Sequence, residues 1–489
     1  MSKITVKRSP VQLLPDSRRL VTKPYIPNDH AVIEGESRVR KVITRVLALT
    51  EEETTSTLAD LRSAFSSRHP DLDQVFLRSF EEIVSHVPDA NGLSTRRRLL
   101  VGAYFSHEYS IEGAALTNPS IAAHPDQEGV PSGWLRVVLT LRAIGEGHIS
   151  SIEFRTGLIG PDGEVSIEPP GDPVIGERRS PAFDKMLFIE KLHEMGVDGD
   201  LLDEALRHLG SEFSTTDLDS ALAELGSHEH RSTTVQHMIH STRWVASSNY
   251  ERTFPAESDL SQRVLYPKGP AESQGMEDAR LVRFVEADGS VLYYATYTAF
   301  DGYSILPQLI TTSDFETFRI ATLNGRAASN KGMAIFPRLV GGRYAALARS
   351  DGESNFLMMS DDVRRWDETQ LIQVPRRTWD LIQIGNAGAP IETEAGWLVV
   401  THGVGPMRQY ALGAILLDIN DPGHVIGDIH EPLLLPDERE REGYVPNVVY
   451  SCGSLVHNGQ LVIPYGASDV STNFATVALD DVLAELTLS

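Results

Sequence analysis

The stretch QGMEDARLV, residues 274–282, sets two adjacent carboxylates, Glu277 and Asp278, and the guanidinium of Arg280 inside an apolar run that reads as a β-strand. Charges at the start of a strand must be paired with one another or with a ligand, because an unpaired charge taken out of water is costly. Two readings follow: an Asp–Arg ion pair that closes the strand's beginning, or the acid of an active site. Two other stretches carry chemistry-bearing residue types. SHEHRSTTVQHMIH holds His228, His230, His237 and His240, the last two at helical i, i+3 spacing. No Cys or Asp cluster accompanies them, so a solvated linker is the expectation and a metal site is not. IGEGHIS (144–150) looks like a phosphate loop but lacks the full glycine spacing and a following helix, so no nucleotide site is expected.

The elements that must position QGMEDARLV are largely strands. GWLRVVLTLRAIGEGHISSIEFRTGLIGPDGEVSI (133–167) is short, alternating and β-branched, with glycine turns. Four later stretches resemble one another: 287–314, 341–362, 394–418 and 457–481. Each has a glycine turn, an apolar strand, a polar interruption, a second strand and an acidic end. Gly289 leads to Thr296, Gly342 to Arg349, Gly396 to His402 and Gly459 to Tyr465. A spacing of roughly 50 residues is that of propeller blades. Counting 133–167 as the first unit gives five, and in such a fold Thr296, Arg349, His402 and Tyr465 would converge on the central channel. Helical periodicity marks the rest. The expected organisation is a helical region over 1–105, a first β part over 106–179, a helical insertion over 180–235, and the remaining β part with the site over 236–489.

Composition limits the partners. The chain has 489 residues, 41% hydrophobic and 23% charged, which supports a sizeable core. A formal net charge of −24 argues against nucleic acid or an anionic membrane, and requires a local positive pocket for any anionic substrate. The single cysteine, Cys452, permits no internal disulfide and fits a reducing compartment. With no apolar leader at the N-terminus and no apolar run long enough to span a bilayer, a soluble cytoplasmic protein is expected, with a homo-oligomer left open.

GMEDARL resembles the Gly-x-Glu-Asp-x-Arg signature of glycoside hydrolase family 130, the β-mannoside phosphorylases and related β-mannosidases. NKGMAIFPRLVGGRYAALAR (330–349), ETEAGWLVVTHGVG (392–405), GYVPNVVYSCGSLV (443–456) and PYGASD (464–469) are similar to later family blocks in the same order. ALTNPSI (115–121) and LRAIGEGHISSIEF (141–154) resemble the first-blade blocks. The resemblance implies a mainly β fold, a five-bladed β-propeller, here with an N-terminal helical region and a helical insertion after the first blade.

Hydrolysis of a glycoside usually needs two carboxyl groups, whereas phosphorolysis needs one acid and a cationic cradle for phosphate. The resemblance makes Asp278 the catalytic acid, with Glu277 and Arg280 orienting the acid or the sugar. Lys331, Arg349 and His402 are the implied phosphate cradle: a point charge, a bidentate fork and a further donor. Asn118 and Ser120 in TNPS match first-blade positions and are assigned to phosphate; Arg142, matched in the same way, is assigned to the sugar. Asp469 matches a sugar-contacting aspartate, and Tyr450 and Tyr465 are placed at the sugar or, equally, in strand packing. The expected activity is inverting phosphorolysis of a β-mannoside or manno-oligosaccharide to α-mannose 1-phosphate, reversible, with inorganic phosphate as co-substrate and no metal or other cofactor. Two alternatives stand beside it. One is a β-mannoside hydrolase on the same propeller, with Glu392 or Glu442 activating water. The other is a non-catalytic sugar-binding propeller.

Overall fold

The computed structural model describes residues 4–27, 37–69, 71–197, 199–228 and 233–487. Its fold is mainly β, and the chain divides into two compact units, one of Met1–Ser17 with Ile111–Ser489 and the other of Arg18–Ser110.

In the larger unit each of the five similar stretches holds the two central strands of an antiparallel sheet. The first sheet runs Ala115–Ala123, Leu135–Ile144, Ser150–Ile159 and Val165–Ile167. The second, continuous with the first through the parallel pair Gly275–Ser150, runs Gly275–Val285, Val291–Phe300, Ile305–Thr312 and Thr317–Thr322, and is extended by Tyr250–Thr253 and Glu177–Arg179. The third runs Ala334–Ile335, Tyr344–Ala348, Asn355–Ser360 and Gln370–Gln373, and the fourth Gln383–Asn386, Gly396–Val404, Tyr410–Leu417 and Val425–Asp428. The fifth takes Val449–Tyr450, Gln460–Ala467 and Ser471–Ala478, and its outermost strand is Lys7–Leu13 from the other end of the chain.

Neighbouring sheets are joined by specific contacts. Ser120 of the first accepts from the Leu281 N–H of the second, and Thr296 of the second donates to the Met333 carbonyl before the third. The Ile384 N–H of the fourth bonds the Glu353 carbonyl of the third, and Tyr410 N–H of the fourth bonds Asn447 O ahead of the fifth. The fifth reaches the first through Leu116 N–H to Val470 O and Cys452 N–H to Pro119 O. Alternation drives large side chains between the sheets: Phe154 lies against Phe315 and Phe318, and Phe336 meets the fully buried Trp397 edge-on at 5.1 Å.

The insertion forms helices Lys185–Glu194, Asp200–Leu206, Thr215–His228 and Thr233–Ser247, so it continues past the expected boundary at 235. Asp184 caps the first by accepting from the N–H groups of Met186 and Leu187, and Phe183, Phe188 and Phe213 form its aromatic centre. The smaller unit packs Val39, Ile43 and Val46 of one helix with Phe76, Phe80 and Leu100 of others, and a Thr50/Glu53 capping box starts its longest helix. The expected helical region over 1–105 is therefore corrected at its beginning, where Lys7–Leu13 is an edge strand of the fifth sheet. Among the described residues no helix is long and apolar enough to cross a membrane.

Candidate active site

The ladders place the beginning of each innermost strand beside the turn that joins the two central strands of its sheet. Ala115 is opposite Ile144, Gly275 opposite Phe300, Ala334 opposite Leu347, Gln383 opposite Val404 and Val449 opposite Ala467. Polar residues at those strand starts and turns therefore gather at one end of the sheets, where Asn118, Arg142, Asp278, Arg280, Lys331, Asn386, His402 and Tyr450 meet through direct contacts.

Asp278 sits on a β-bulge. Glu277 pairs with Thr298 and Arg280 with Thr296, so one extra residue enters the innermost strand. The first sheet repeats the device: Thr117 pairs with Arg142 and Ser120 with Thr140, with Asn118–Pro119 between them, where proline has no N–H to give the ladder. Both bulged residues are left-handed, Asn118 at φ 49° and Asp278 at φ 57°, conformations that cost a non-glycine residue roughly 1 kcal/mol or more and are held by the flanking ladders. The result is a direct bond, Asn118 Nδ2 donating to Asp278 Oδ1 at 2.7 Å.

The cations are arranged about these carboxylates. Arg142 donates through Nη2 to Glu277 Oε1 at 2.7 Å and through Nη1 to Asp278 Oδ1 at 3.5 Å, with Nε fixed by Ser150 Oγ at 2.8 Å. Lys331 Nζ holds the other oxygen of Glu277 at 2.6 Å. Arg280 is buried and spreads its guanidinium over the Asp278 carbonyl, Asn386 Oδ1 and the Tyr450 hydroxyl, the last at 2.7 Å. Burial alone would raise the Asp278 carboxyl, but Arg142, Arg280, the Asn118 amide and Lys331 outweigh it and hold the group below the ordinary aspartate value. Asp278 is thus a carboxylate in the free site. Asp469, in the turn of the fifth sheet at φ 52°, goes the other way: burial and then the charge of Asp278 push its carboxyl up to about 6, against the pull of Arg142 and Arg408. Burial likewise pushes the Cys452 thiol up to about 12.

His402 departs from its expected role as a phosphate donor. Its Nδ1 lies 3.0 Å from the Asn386 carbonyl, so that nitrogen carries the proton. Its Nε2 then accepts from Arg349 Nη1 at 3.1 Å, with the Gln383 amide 3.2 Å away. Burial, followed by Arg349 and Arg280, drives His402 well below the usual histidine value, so the ring is neutral and bears on a ligand through Arg349. Arg349 itself keeps a buried Nε–H with no hydrogen-bond partner, a donor that wants an acceptor.

Other expectations are corrected by the same bookkeeping. Asn118 donates one of its two amide N–H groups to Asp278 and accepts from Thr117 through its oxygen, so it holds the acid in place. Ser120 is fully buried between two strands, bonded to the Leu281 backbone. The Tyr465 hydroxyl is committed to Glu440, which also takes Arg8 of the N-terminal strand, so Tyr465 belongs to packing. Thr296 lies opposite Arg280 but gives its hydroxyl to a carbonyl, and of the four repeat positions only Arg349 and His402 touch. Glu392 is paired with Arg338, and Glu442 is exposed. His237 and His240 lie on the helix Thr233–Ser247, while His230 falls outside the described residues. Among the described residues no group of three or more His, Cys, Asp or Glu side chains is arranged to hold a metal ion. Gln383, Asn386, Ser150 and Arg408 were missed from sequence; single polar residues in strands and turns carry no pattern that marks them.

A family model described as β-1,4-mannooligosaccharide phosphorylase, Glyco_hydro_130, matches residues 244–487. That span holds every site residue above except Asn118, Arg142 and Ser150. The chain is similar to a 1,2-β-oligomannan phosphorylase of Thermoanaerobacter sp., 33% identical over 231 residues that make up 46% of this chain and 75% of that one. It is similar to a β-1,2-mannobiose phosphorylase of Listeria innocua, 31% identical over 229 residues, 45% of this chain and 63% of that one. A solved structure of a Listeria innocua β-1,2-mannobiose phosphorylase with β-1,2-mannobiose aligns over 78% of this chain and 94% of that chain, at 21% identity and a TM-score of 0.47.

Proposed function

The chain belongs to glycoside hydrolase family 130, and from that premise we propose that it is an inverting β-mannoside phosphorylase on a five-bladed β-propeller, one blade for each antiparallel sheet. The observation that carries this reading is the gathering of four cations in one site, Arg142 and Arg280 on Asp278, Lys331 on the adjoining Glu277 and Arg349 on His402, in a protein of net charge −24. Glu277 and Asp278 offset two of those charges. Asp469, ionised above about pH 6, is opposed by Arg408, so a surplus of about two remains, which suits a phosphate dianion. A scaffold has no evident need for such a set.

Phosphate held by Lys331 and Arg349 attacks the anomeric carbon, and the glycosidic oxygen leaves with a proton supplied under the control of Asp278. The free site keeps Asp278 ionised, so it must gain a proton before it can give one. Phosphate binding provides the means: its charge offsets Lys331, Arg280 and Arg142, the cations that hold Asp278 acidic, and so raises the carboxyl's proton affinity. His402 fixes the Arg349 fork by accepting from it. The products are α-mannose 1-phosphate and a shortened saccharide or free acceptor, and the same geometry serves the reverse direction. Inorganic phosphate is the co-substrate, and this chemistry calls on no further cofactor.

The test is incubation of the purified protein with β-linked mannobioses of each linkage, with and without phosphate, followed by assay of mannose 1-phosphate. Phosphate-dependent formation is expected. Free mannose in equal amount without phosphate would make the protein a hydrolase and overturn the reading.

A further inference from the structure

The turns joining the central strands of the five sheets surround the site, and two of them carry groups suited to a sugar. The turn of the first sheet carries His148 at φ 60°, exposed, with its ring stacked on Tyr444 at 5.0 Å and 27°. Tyr444 is 60% exposed, so much of the side chain is within reach of solvent. The turn of the fourth sheet carries Arg408, exposed, at φ 55°. The Tyr444 segment and the fourth-sheet turn both approach the turn that carries Asp469. The segment with Tyr444 bonds the turn of the fifth sheet through Val445 N–H to Ser468 O, and Arg408 acts on the Asp469 carboxyl through its charge.

Their position relative to phosphate is the informative point. The groups proposed to hold phosphate, Lys331 and Arg349, belong to the third sheet and its approach. The His148–Tyr444 stack bridges the fifth sheet's approach to the first sheet. In an inverting displacement the nucleophile and the leaving group occupy opposite faces of the anomeric carbon. With phosphate on the third-sheet side, the leaving group is directed between the fifth and first sheets, where this stack stands. An exposed aromatic ring backed by a second ring suits the C–H face of a pyranose, and a guanidinium approaching the Asp469 turn suits its hydroxyls.

We propose that Tyr444, backed by His148 and flanked by Arg408, is the platform for the sugar ring on the leaving-group side of the scissile bond. The inference rests on the phosphorylase reading and extends it to a specificity-determining surface, with a pyranosyl acceptor as the ligand class.

The experiment compares Tyr444→Ala, Tyr444→Trp and the wild type on the mannobiose that the wild type uses best and on methyl β-mannoside, which has no second ring. Tyr444→Ala is expected to lower kcat/KM for the mannobiose about tenfold, mainly through KM. Its methyl β-mannoside kinetics and its KM for phosphate should stay within about twofold, and Tyr444→Trp should retain most of the disaccharide activity. An equal fall on both substrates, or no fall on the mannobiose, overturns the platform while leaving the phosphorylase intact. A wild type that releases no mannose 1-phosphate from any mannobiose overturns the parent reading instead.

Discussion

Asp469→Asn should make the protein more stable near neutral pH and less active. The carboxyl of Asp469 is raised to about 6 in the folded chain, first by burial and then by Asp278, whereas an unfolded aspartate titrates at about 3.9. A group whose affinity for its proton rises on folding stabilises the fold while it is protonated. That contribution is complete below about pH 4 and is lost as pH rises through about 6. The gap between the two values corresponds to at most about 3 kcal/mol, and partial water access at the turn reduces the expected figure to about 1–2 kcal/mol. An asparagine of the same shape has no proton to lose. Thermal midpoints of wild type and variant, measured in parallel from pH 4 to pH 8, should coincide at the acid end and separate by a few degrees above pH 6.5, the variant being higher. Taking the difference at each pH removes the titrations that the two proteins share. Phosphorolysis by the variant should fall, because the charge beside Asp278 and Arg142 is gone; stability gained by neutralising a group that a site needs is the usual exchange. A difference that is flat with pH, or a variant less stable at pH 7.5, would refute the account of a carboxyl kept near its proton by burial and by Asp278.

Asp278→Asn is expected to lower kcat by about 10²–10⁴ with the fold retained, measured as mannose 1-phosphate release beside a circular-dichroism melt; undiminished turnover would remove Asp278 from the chemistry. His402→Leu should raise KM for phosphate about tenfold by freeing Arg349, while His402→Gln, which can still accept from Arg349, should stay within about threefold. Equal effects of the two substitutions would sink the positioning role. Cys452 is fully buried with its thiol pushed up to about 12, so the native protein should resist thiol reagents at pH 8 and label only after denaturation; stoichiometric labelling of the native chain would contradict the placement.

How much of this was legible in the sequence depended on whether the signal was local. The five strand pairs could be read because glycine turns and alternating apolar residues recur within each stretch, and the signature could be read because Glu277, Asp278 and Arg280 are contiguous. The outermost strand of the fifth sheet could not: KRSPVQL is short, contains Pro10, and pairs with residues from the other end of the chain, Arg8 reaching Glu440 across 432 positions. Proline is tolerated there because the strand is an edge. The same distance explains Tyr465. Its place in the repeat matches His402, yet a buried carboxylate supplied by another segment takes its hydroxyl. His402 itself was found but given the wrong proton, since only the Asn386 carbonyl and the Arg349 fork decide which nitrogen donates.

The carboxylates of the site explain how an acidic protein can present a positive pocket. Packing Arg142, Arg280 and Lys331 together without partners would bury like charges at a cost of several kcal/mol. Glu277 resolves this by taking Arg142 on one oxygen and Lys331 on the other, and the bulge turns Asp278 toward Arg142 and Asn118 instead of leaving it to follow the strand's alternation. These pairs fix the cations in place without neutralising all of them, and Arg349, held by an uncharged histidine, keeps its full charge. A neutral acceptor in place of a carboxylate at that point is what leaves the guanidinium available to an anion. The bulge, the neutral histidine and the acidic surroundings are therefore parts of one arrangement, in which cations are positioned by groups that do not cancel them.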